Sequence, residues 1–230
     1  MKTLTAADVT YAYRSAGQTV QAVRGATCEF EQSKLYCIIG SSGSGKTTFL
    51  SLVAGLDLPA SGEIALDGQP TAKMNRDQYR LNHVSVIYQN YNLFQHLTVL
   101  ENAAYPLYAR KMKKKEADEL AKEQLLRVGL QPEQFKRTPK MLSGGEQQRV
   151  AIARALASGC ELILADEPTG NLDSDNSRNI VEILQSLAHE DGRCVIVVTH
   201  DPAVAEAADV VLRMKDGVFE SASLRPSAEA

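Results

Sequence analysis

Apolar residues recur along this chain in two rhythms. Leu4–Tyr13 and Val20–Phe30 alternate enough to predict two strands, with Ser15-Ala16-Gly17-Gln18 as the turn between them. Leu35–Ile39 is a continuous apolar run and reads as a buried strand. Beyond it Phe49–Ala54 continues as a helix, stopped by Gly55 with Pro59 further on. Ser61–Gly68 predicts a short strand between turns, and Val84–Tyr88 another, running into Gln89. From Thr98 to about Gly159 the spacing turns helical. Thr98 with Glu101 fits a capping box. Ala117, Leu120, Ala121, Leu125 and Val128 share one face of a helix over 116–128 that Gly129 ends, and 144–157 forms a third. Strands return at Glu161–Ala165 and Arg193–Thr199, with a helix over 174–188 between them.

Strand, helix, strand at this spacing predicts parallel pairing. The expected fold class is therefore α/β: a mainly parallel sheet with an antiparallel N-terminal β part and a helical insertion. The chain reads as one domain, with a core from 1–88 and 161–220, an insertion over 89–160 and a frayed tail over 221–230. No internal repeat is visible.

Composition narrows this picture. The 230 residues carry a formal net charge of −3, which argues against a general polyanion-binding role. Cys28, Cys37, Cys160 and Cys194 are scattered without Cys-x-x-Cys spacing, so a reducing compartment is expected, with no disulfide framework or zinc site. Residues 1–30 hold no signal-peptide apolar region, and no apolar window is long enough to span a membrane. The basic run Arg110–Lys115 reads as a solvated helix start or loop, or as a surface near anionic lipid or an acidic partner; composition does not choose.

Three stretches bring chemistry. Between the third strand and the first helix lies Gly40-Ser41-Ser42-Gly43-Ser44-Gly45-Lys46-Thr47, followed by Thr48. This is the phosphate-loop pattern in the strand–turn–helix context it requires. Glycines let the backbone curl so that N–H groups point at phosphate oxygens, and the helix N-terminus adds its dipole. Lys46 supplies a charge for the β- and γ-phosphates, and the Thr47 hydroxyl can ligate Mg²⁺. The apolar strand before Asp166-Glu167 ends in two carboxylates. In a phosphate-loop protein the first can hold Mg²⁺ and the second can polarise a water for in-line attack; alone they equally read as surface groups or a helix cap. Leu142-Ser143-Gly144-Gly145-Glu146-Gln147-Gln148-Arg149 is more specific. Ser143 can cap the helix that follows, and the glycines leave its first N–H groups open to an anion. One nucleotide needs only one such device. Two make sense if the Ser143 turn of one subunit closes over the nucleotide held by another; the alternative is an N-cap without a ligand.

Together these stretches resemble the nucleotide-binding subunit of an ABC transporter, over about residues 3–220 and in that family's order. The resemblance implies a P-loop NTPase core that binds and hydrolyses ATP with Mg²⁺. Gly40–Thr48 is similar to the Walker A loop, and Leu162–Asp166 to Walker B. Glu167 resembles the catalytic glutamate, and Gln89 the Q-loop glutamine, which contacts Mg²⁺ and water. Ser143, Gly144, Gly145 and Glu146 fall in the signature motif, which acts across a homodimer formed on ATP binding. Asn171-Leu172-Asp173 falls at the D-loop, and His200 resembles the switch histidine. The implied metal ligands are Thr47, Gln89 and Asp166. Tyr13 falls at the adenine-stacking position, with Tyr11 as its near rival.

Within the family, Ala165–Asp173, Tyr91-Asn92-Leu93 and Leu97–Asn102 are similar to the lipoprotein-release (LolD), macrolide-efflux (MacB), cell-division (FtsE) and bacitracin-resistance (BceA) ATPases. The implied function is the ATPase engine of a membrane transporter or mechanotransmission complex. It would sit on the cytoplasmic face of the membrane, with a separate permease docking near 89–110. Tyr91, Leu93 and Phe94 are candidate anchors there, or local core. A cell-division regulator of the FtsE type and a soluble ABC ATPase acting on DNA or ribosomes are the alternatives. The second is disfavoured because the chain has a single cassette, no long heptad run between Gln89 and Leu142 and no zinc module, so no nucleic acid is expected.

Overall fold

A computed structural model describes residues 3–15, 18–220 and 223–224. The N-terminal alternation forms an antiparallel pair, β1 (Thr3–Ser15) and β2 (Gln18–Glu31). Of the predicted turn between them, Ala16 and Gly17 lie outside the described residues. β3 (Lys34–Ile39) leads through the glycine-rich loop into α1 (Lys46–Val53). β4 (Ser61–Leu66) pairs antiparallel with β1, and β5 (Gln69–Pro70) with β4, giving a four-stranded sheet in the order β2-β1-β4-β5. Then come α2 (Arg76–Asn82) and β6 (Val84–Tyr88). The insertion supplies α3 (Val99–Ala109), α4 (Lys114–Arg127) and α5 (Gly144–Ala157), which pack on one another. β7 (Leu162–Asp166), α6 (Ser174–His189), β8 (Cys194–Val198), α7 (Pro202–Ala207), β9 (Val210–Lys215), β10 (Val218–Phe219) and β11 (Ser223–Leu224) complete the order.

The second sheet runs β10-β9-β3-β8-β7-β6, with β11 also on β9. From β9 through β6 its strands are parallel, as predicted. Its buried strands sort their side chains by the two-residue period of a pleated strand. Leu35, Cys37, Ile87, Ile163, Ala165, Val195 and Val197 enter one core with α3–α7. Tyr36, Ile38, Leu162, Leu164, Ile196 and Val198 enter the other, with α1 and the inner face of the four-stranded sheet. Both faces are covered, which is why these strands read as continuous apolar runs.

Differences from the sequence reading have local causes. α2 buries one large side chain, Tyr79, so it has no helical period to read; Asn75 caps it by accepting from the Gln78 N–H at 3.0 Å. α7 buries only Val204. α4 begins two residues before the expected start, so Lys114 and Lys115 form its exposed first turn. Of the tail expected to fray, only Ser223–Leu224 is described, and it pairs antiparallel with β9.

Candidate active site

The carboxyl ends of β3, β7 and β8 lie side by side, the edge of an open parallel sheet where ligands gather. At the first of them the glycine-rich loop folds under two constraints. A Cβ on Gly40 would stand 2.2 Å from the Met214 carbonyl oxygen, and one on Gly45 2.2 Å from that of Ala22. Gly45 also has φ +101°, a backbone region that side chains disfavour. The loop is thus pressed against strands of both sheets. No side chain caps α1, so its first N–H groups stay open toward the loop. Lys46 lies inside the loop, its Nζ donating to the carbonyl oxygens of Gly40 at 2.8 Å and Ser41 at 3.0 Å. The Ser44 hydroxyl is buried and finds no partner among the described residues. Open N–H groups, a buried cation and an orphaned hydroxyl together suit an anion rich in acceptors.

Asp166 closes β7, in register with Val198 of β8 and Tyr88 of β6. The Thr47 hydroxyl donates to its Oδ1 at 3.1 Å, bringing together two of the three predicted metal ligands. Burial holds the Asp166 carboxyl above its ordinary value, more than the Thr47 hydrogen bond lowers it. Glu167 follows with φ +47°, its N–H donating to the Val198 carbonyl at 2.8 Å. Its Oε1 lies 2.9 Å from Nδ1 of His200, and its Oε2 accepts from the Thr199 hydroxyl at 2.9 Å and the His200 N–H at 3.4 Å. The carboxylate is mostly covered, whereas the His200 side chain is 75% exposed. The predicted base and the predicted switch histidine therefore touch, each at the end of a neighbouring strand.

The Ser143 turn folds as a complete capping box. The Ser143 hydroxyl accepts from the Glu146 N–H at 3.3 Å, and Glu146 Oε2 accepts from the Ser143 N–H at 2.7 Å. Glu146 thus serves its own helix. A Cβ on Gly144 would meet the Tyr91 hydroxyl at 2.9 Å and approach Asn171 and Leu172, and one on Gly145 would meet Asn176 at 2.5 Å. Among the described residues no hydrogen bond joins this turn to Gly40–Thr48 of the same chain. Asn171 donates through Nδ2 to the Gln89 carbonyl at 3.0 Å, and Asp173 caps α6 by accepting from the Asn176 N–H. Tyr13 reaches the helix that follows the glycine-rich loop, its hydroxyl 3.1 Å from Thr48 Oγ1, and the residue is 45% exposed. Tyr11 stands edge-on to it at 5.0 Å and packs on the core.

A model of the family described as ABC transporter matches residues 23–170, more than half the chain. The chain belongs to the ABC transporter family. It is 44% identical over 190 residues to a Bacillus subtilis protein named "Uncharacterized ABC transporter ATP-binding protein YclH", covering 83% of this chain and 84% of that one. It is 40% identical over 212 residues to the lipoprotein-releasing system ATP-binding protein LolD of Chromohalobacter salexigens, covering 91% and 89%. To the macrolide export ATP-binding/permease protein MacB of Syntrophobacter fumaroxidans it is 40% identical over 221 residues; these are 94% of this chain but 31% of that longer protein. Among solved structures, the dimeric cassette MJ0796 matches with a TM-score of 0.90 at 36% identity, over 96% of this chain and 98% of that one. A dimeric post-hydrolysis state of the same cassette, bound to ADP and phosphate, gives 0.89 at 35% over the same shares. The sheet order is thus that of a P-loop ATPase cassette, and the chain is an ABC ATPase that binds ATP.

Several residues that shape this candidate site were not legible as motifs. Thr199 and Thr169 are buried, and the Thr169 hydroxyl donates to Asp201 at 2.7 Å. Gln148, wholly buried on α5, donates to the Pro168 carbonyl at 2.8 Å and so ties α5 to the segment after Glu167. Only its place within the quoted signature stretch could have marked it. Of the candidate anchors, Leu93 is 7% exposed and belongs to the core, and Tyr91 packs against that core. Phe94 is 43% exposed and stacks near Tyr105, with ring centroids 4.4 Å apart. Both rings line a groove of about 730 Å³ between α2, β6, α3 and α5, which Tyr88 and Asn92 also line.

Proposed function

We propose that this ABC ATPase powers a membrane permease of the kind served by the LolD and MacB relatives, working as an ATP-stabilised homodimer at the cytoplasmic face of the membrane. The contact between Glu167 and His200, at the strand ends beside the phosphate loop, carries the reading of the site. In that reading Lys46 exchanges the Gly40 and Ser41 carbonyls for β- and γ-phosphate oxygens. The open N–H groups of α1 and the Ser44 hydroxyl take the remaining acceptors. Tyr13, exposed and anchored on Thr48, is favoured over the packed Tyr11 for stacking on adenine. Glu167 accepts a proton from a water as its oxygen attacks the γ-phosphorus and the bond to the β-phosphate oxygen breaks. His200 is exposed enough to leave Glu167 and meet the γ-phosphate.

Thr47 and Asp166, already within hydrogen-bond reach, with Gln89 following β6 next door, fit a Mg²⁺ that keeps water and phosphate among its ligands. When bound it would neutralise charge on the phosphates. Among the described residues no group of three or more His, Cys, Asp or Glu could hold a metal ion.

No helix among the described residues is long and apolar enough to cross a membrane. Contact with the bilayer would come through the permease. The groove lined by Phe94 and Tyr105 supports a short cytoplasmic helix of that permease as its occupant, its apolar face on these rings and its polar flank near Asp77, Arg80 and Arg154. The decisive experiment is Glu167→Gln with MgATP on size-exclusion chromatography. Nucleotide binding retained, hydrolysis slowed to a small residual rate and a shift to dimer are the expected results. Hydrolysis at the wild-type rate would remove Glu167 from the mechanism.

A further inference from the structure

We propose that Thr199 is the positioning residue for Glu167, setting the direction in which its carboxylate faces the attacking water. The inference rests on the reading of Glu167 as the base. A glutamate that serves as base must aim one oxygen while its chain keeps several rotatable bonds, and only its other oxygen is available to fix it. Here the two oxygens are held unequally. Oε1 meets His200, whose side chain is 75% exposed. Oε2 meets the hydroxyl of Thr199, which is wholly buried. The first contact can be given up when nucleotide arrives, and the second cannot without disrupting the strand ends.

Thr199 is itself fixed in orientation. Its backbone N–H donates to Ile38 of β3 at 3.2 Å, so it is tied to the strand that feeds the phosphate loop. Its hydroxyl accepts from the Asp201 N–H at 3.0 Å, which leaves its proton for Glu167. Asp201 accepts in turn from the Ala203 N–H at 2.9 Å and the buried Thr169 hydroxyl at 2.7 Å. Thr169 lies two residues beyond Glu167, so the chain of bonds closes on the segment it starts from. The ring Glu167–Thr199–Asp201–Thr169 spans β7 and β8 and holds the base from its buried side.

The test compares Thr199→Val, which keeps shape and removes the hydroxyl, with Thr199→Ser, which keeps the hydroxyl. Each is measured alone and together with Glu167→Gln, in steady-state phosphate release with MgATP and over long incubations for the slow variants. Thr199→Val is expected to lower kcat by roughly tenfold or more, the effect of losing one hydrogen bond to a charged group. KM for ATP stays within about twofold, because nothing in the phosphate cradle changes. Thr199→Ser recovers most of the rate. In the Glu167→Gln background the Val substitution adds less than about a twofold loss, since its path runs through a base already gone. A wild-type kcat in Thr199→Val, or the same fold-loss with and without Glu167, overturns the proposal. If the Val protein does not fold, Thr199→Cys, a weaker donor of similar size, takes its place and must give an intermediate kcat; a wild-type rate there overturns the proposal equally. Wild-type turnover in Glu167→Gln alone would instead overturn the reading of the base, so the two failures are distinguishable.

Discussion

Arg110 opens the basic run, yet it turns inward. Its guanidinium donates to the Leu81 and Ser158 carbonyls and lies 3.5 Å from the Cys160 sulfur, so it satisfies groups at the ends of α2 and α5. Arg110→Ala is expected to cost about 2 kcal/mol in urea unfolding, because it strands the carbonyls of half-buried Leu81 and buried Ser158 as well as removing a cation. Arg110→Lys should recover only part, since an ammonium lacks the fork that reaches two helix ends at once. Lys111, Lys113, Lys114 and Lys115 are exposed, and neutralising them should leave unfolding within about 0.5 kcal/mol of wild type. A run of like charges hides this division because burial is decided by what the turn after α3 faces. The same limit applies at the site. Lys46, Asp166 and Glu167 could be nominated from the sequence because each type has an expected role beside a phosphate-loop pattern, and the structure does bring them to neighbouring strand ends. Thr199 and Gln148 were not, because a hydroxyl or amide acquires its meaning only from the oxygen it meets across the sheet.

At the level of elements, α3 shows how a cap and a groove are built together. Thr98 and Glu101 form the box expected from their spacing, and the Thr98 backbone and hydroxyl bonds hold the Glu101 carboxyl below its usual value. A lowered value means the stabilisation is present above the unfolded carboxylate range and lost as pH falls from there through the lower folded value. Glu101→Gln should therefore lower Tm at pH 7, with the difference closing below about pH 4. The next residue, buried Asn102, accepts from the Phe94 N–H and donates to the carbonyls of Phe94, Leu97 and Thr98. This pins the Phe94 loop over the helix and holds the ring at the groove. Arg154 of α5 braces the left-handed pair Tyr91-Asn92 from the other side by donating to both carbonyls. Phe94→Ser with Tyr105→Ser should leave basal hydrolysis within about twofold and abolish stimulation by reconstituted permease, because both rings are exposed and neither touches the nucleotide cradle. Loss of basal activity as well would return Phe94 to a folding role. The long periodic elements were readable in the sequence, whereas α2 and α7, each buried through one main residue, left no period to detect.

For the whole molecule, the unresolved question in the sequence was why one chain should carry two anion devices. Within the chain the Ser143 turn abuts Asn171, Leu172 and Tyr91, not the phosphate loop, so a second subunit is needed to bring the two devices together. Mixing Lys46→Ala with Ser143→Arg tests this. A mixed dimer holds one site with both defects and one with neither, so up to about a quarter of wild-type activity is expected from equal mixing. Nucleotide trapping at the intact site should accompany it, and full activity in the Ser143→Arg homodimer would rule out shared sites. The pleat of the central sheet has a separate consequence. Because alternate residues of β3, β6, β7 and β8 supply the same core as α3, α4 and α5, the insertion has no dry seam along which it could be lifted away. Deleting residues 89–160 would leave the part of the sheet face not covered by α6 and α7 wet, and the excised helices would lose the floor they stand on. Neither fragment should melt cooperatively, and the intact chain should show one calorimetric transition. Evolution could lengthen this arm or decorate it, but could not trade it as a cassette of its own.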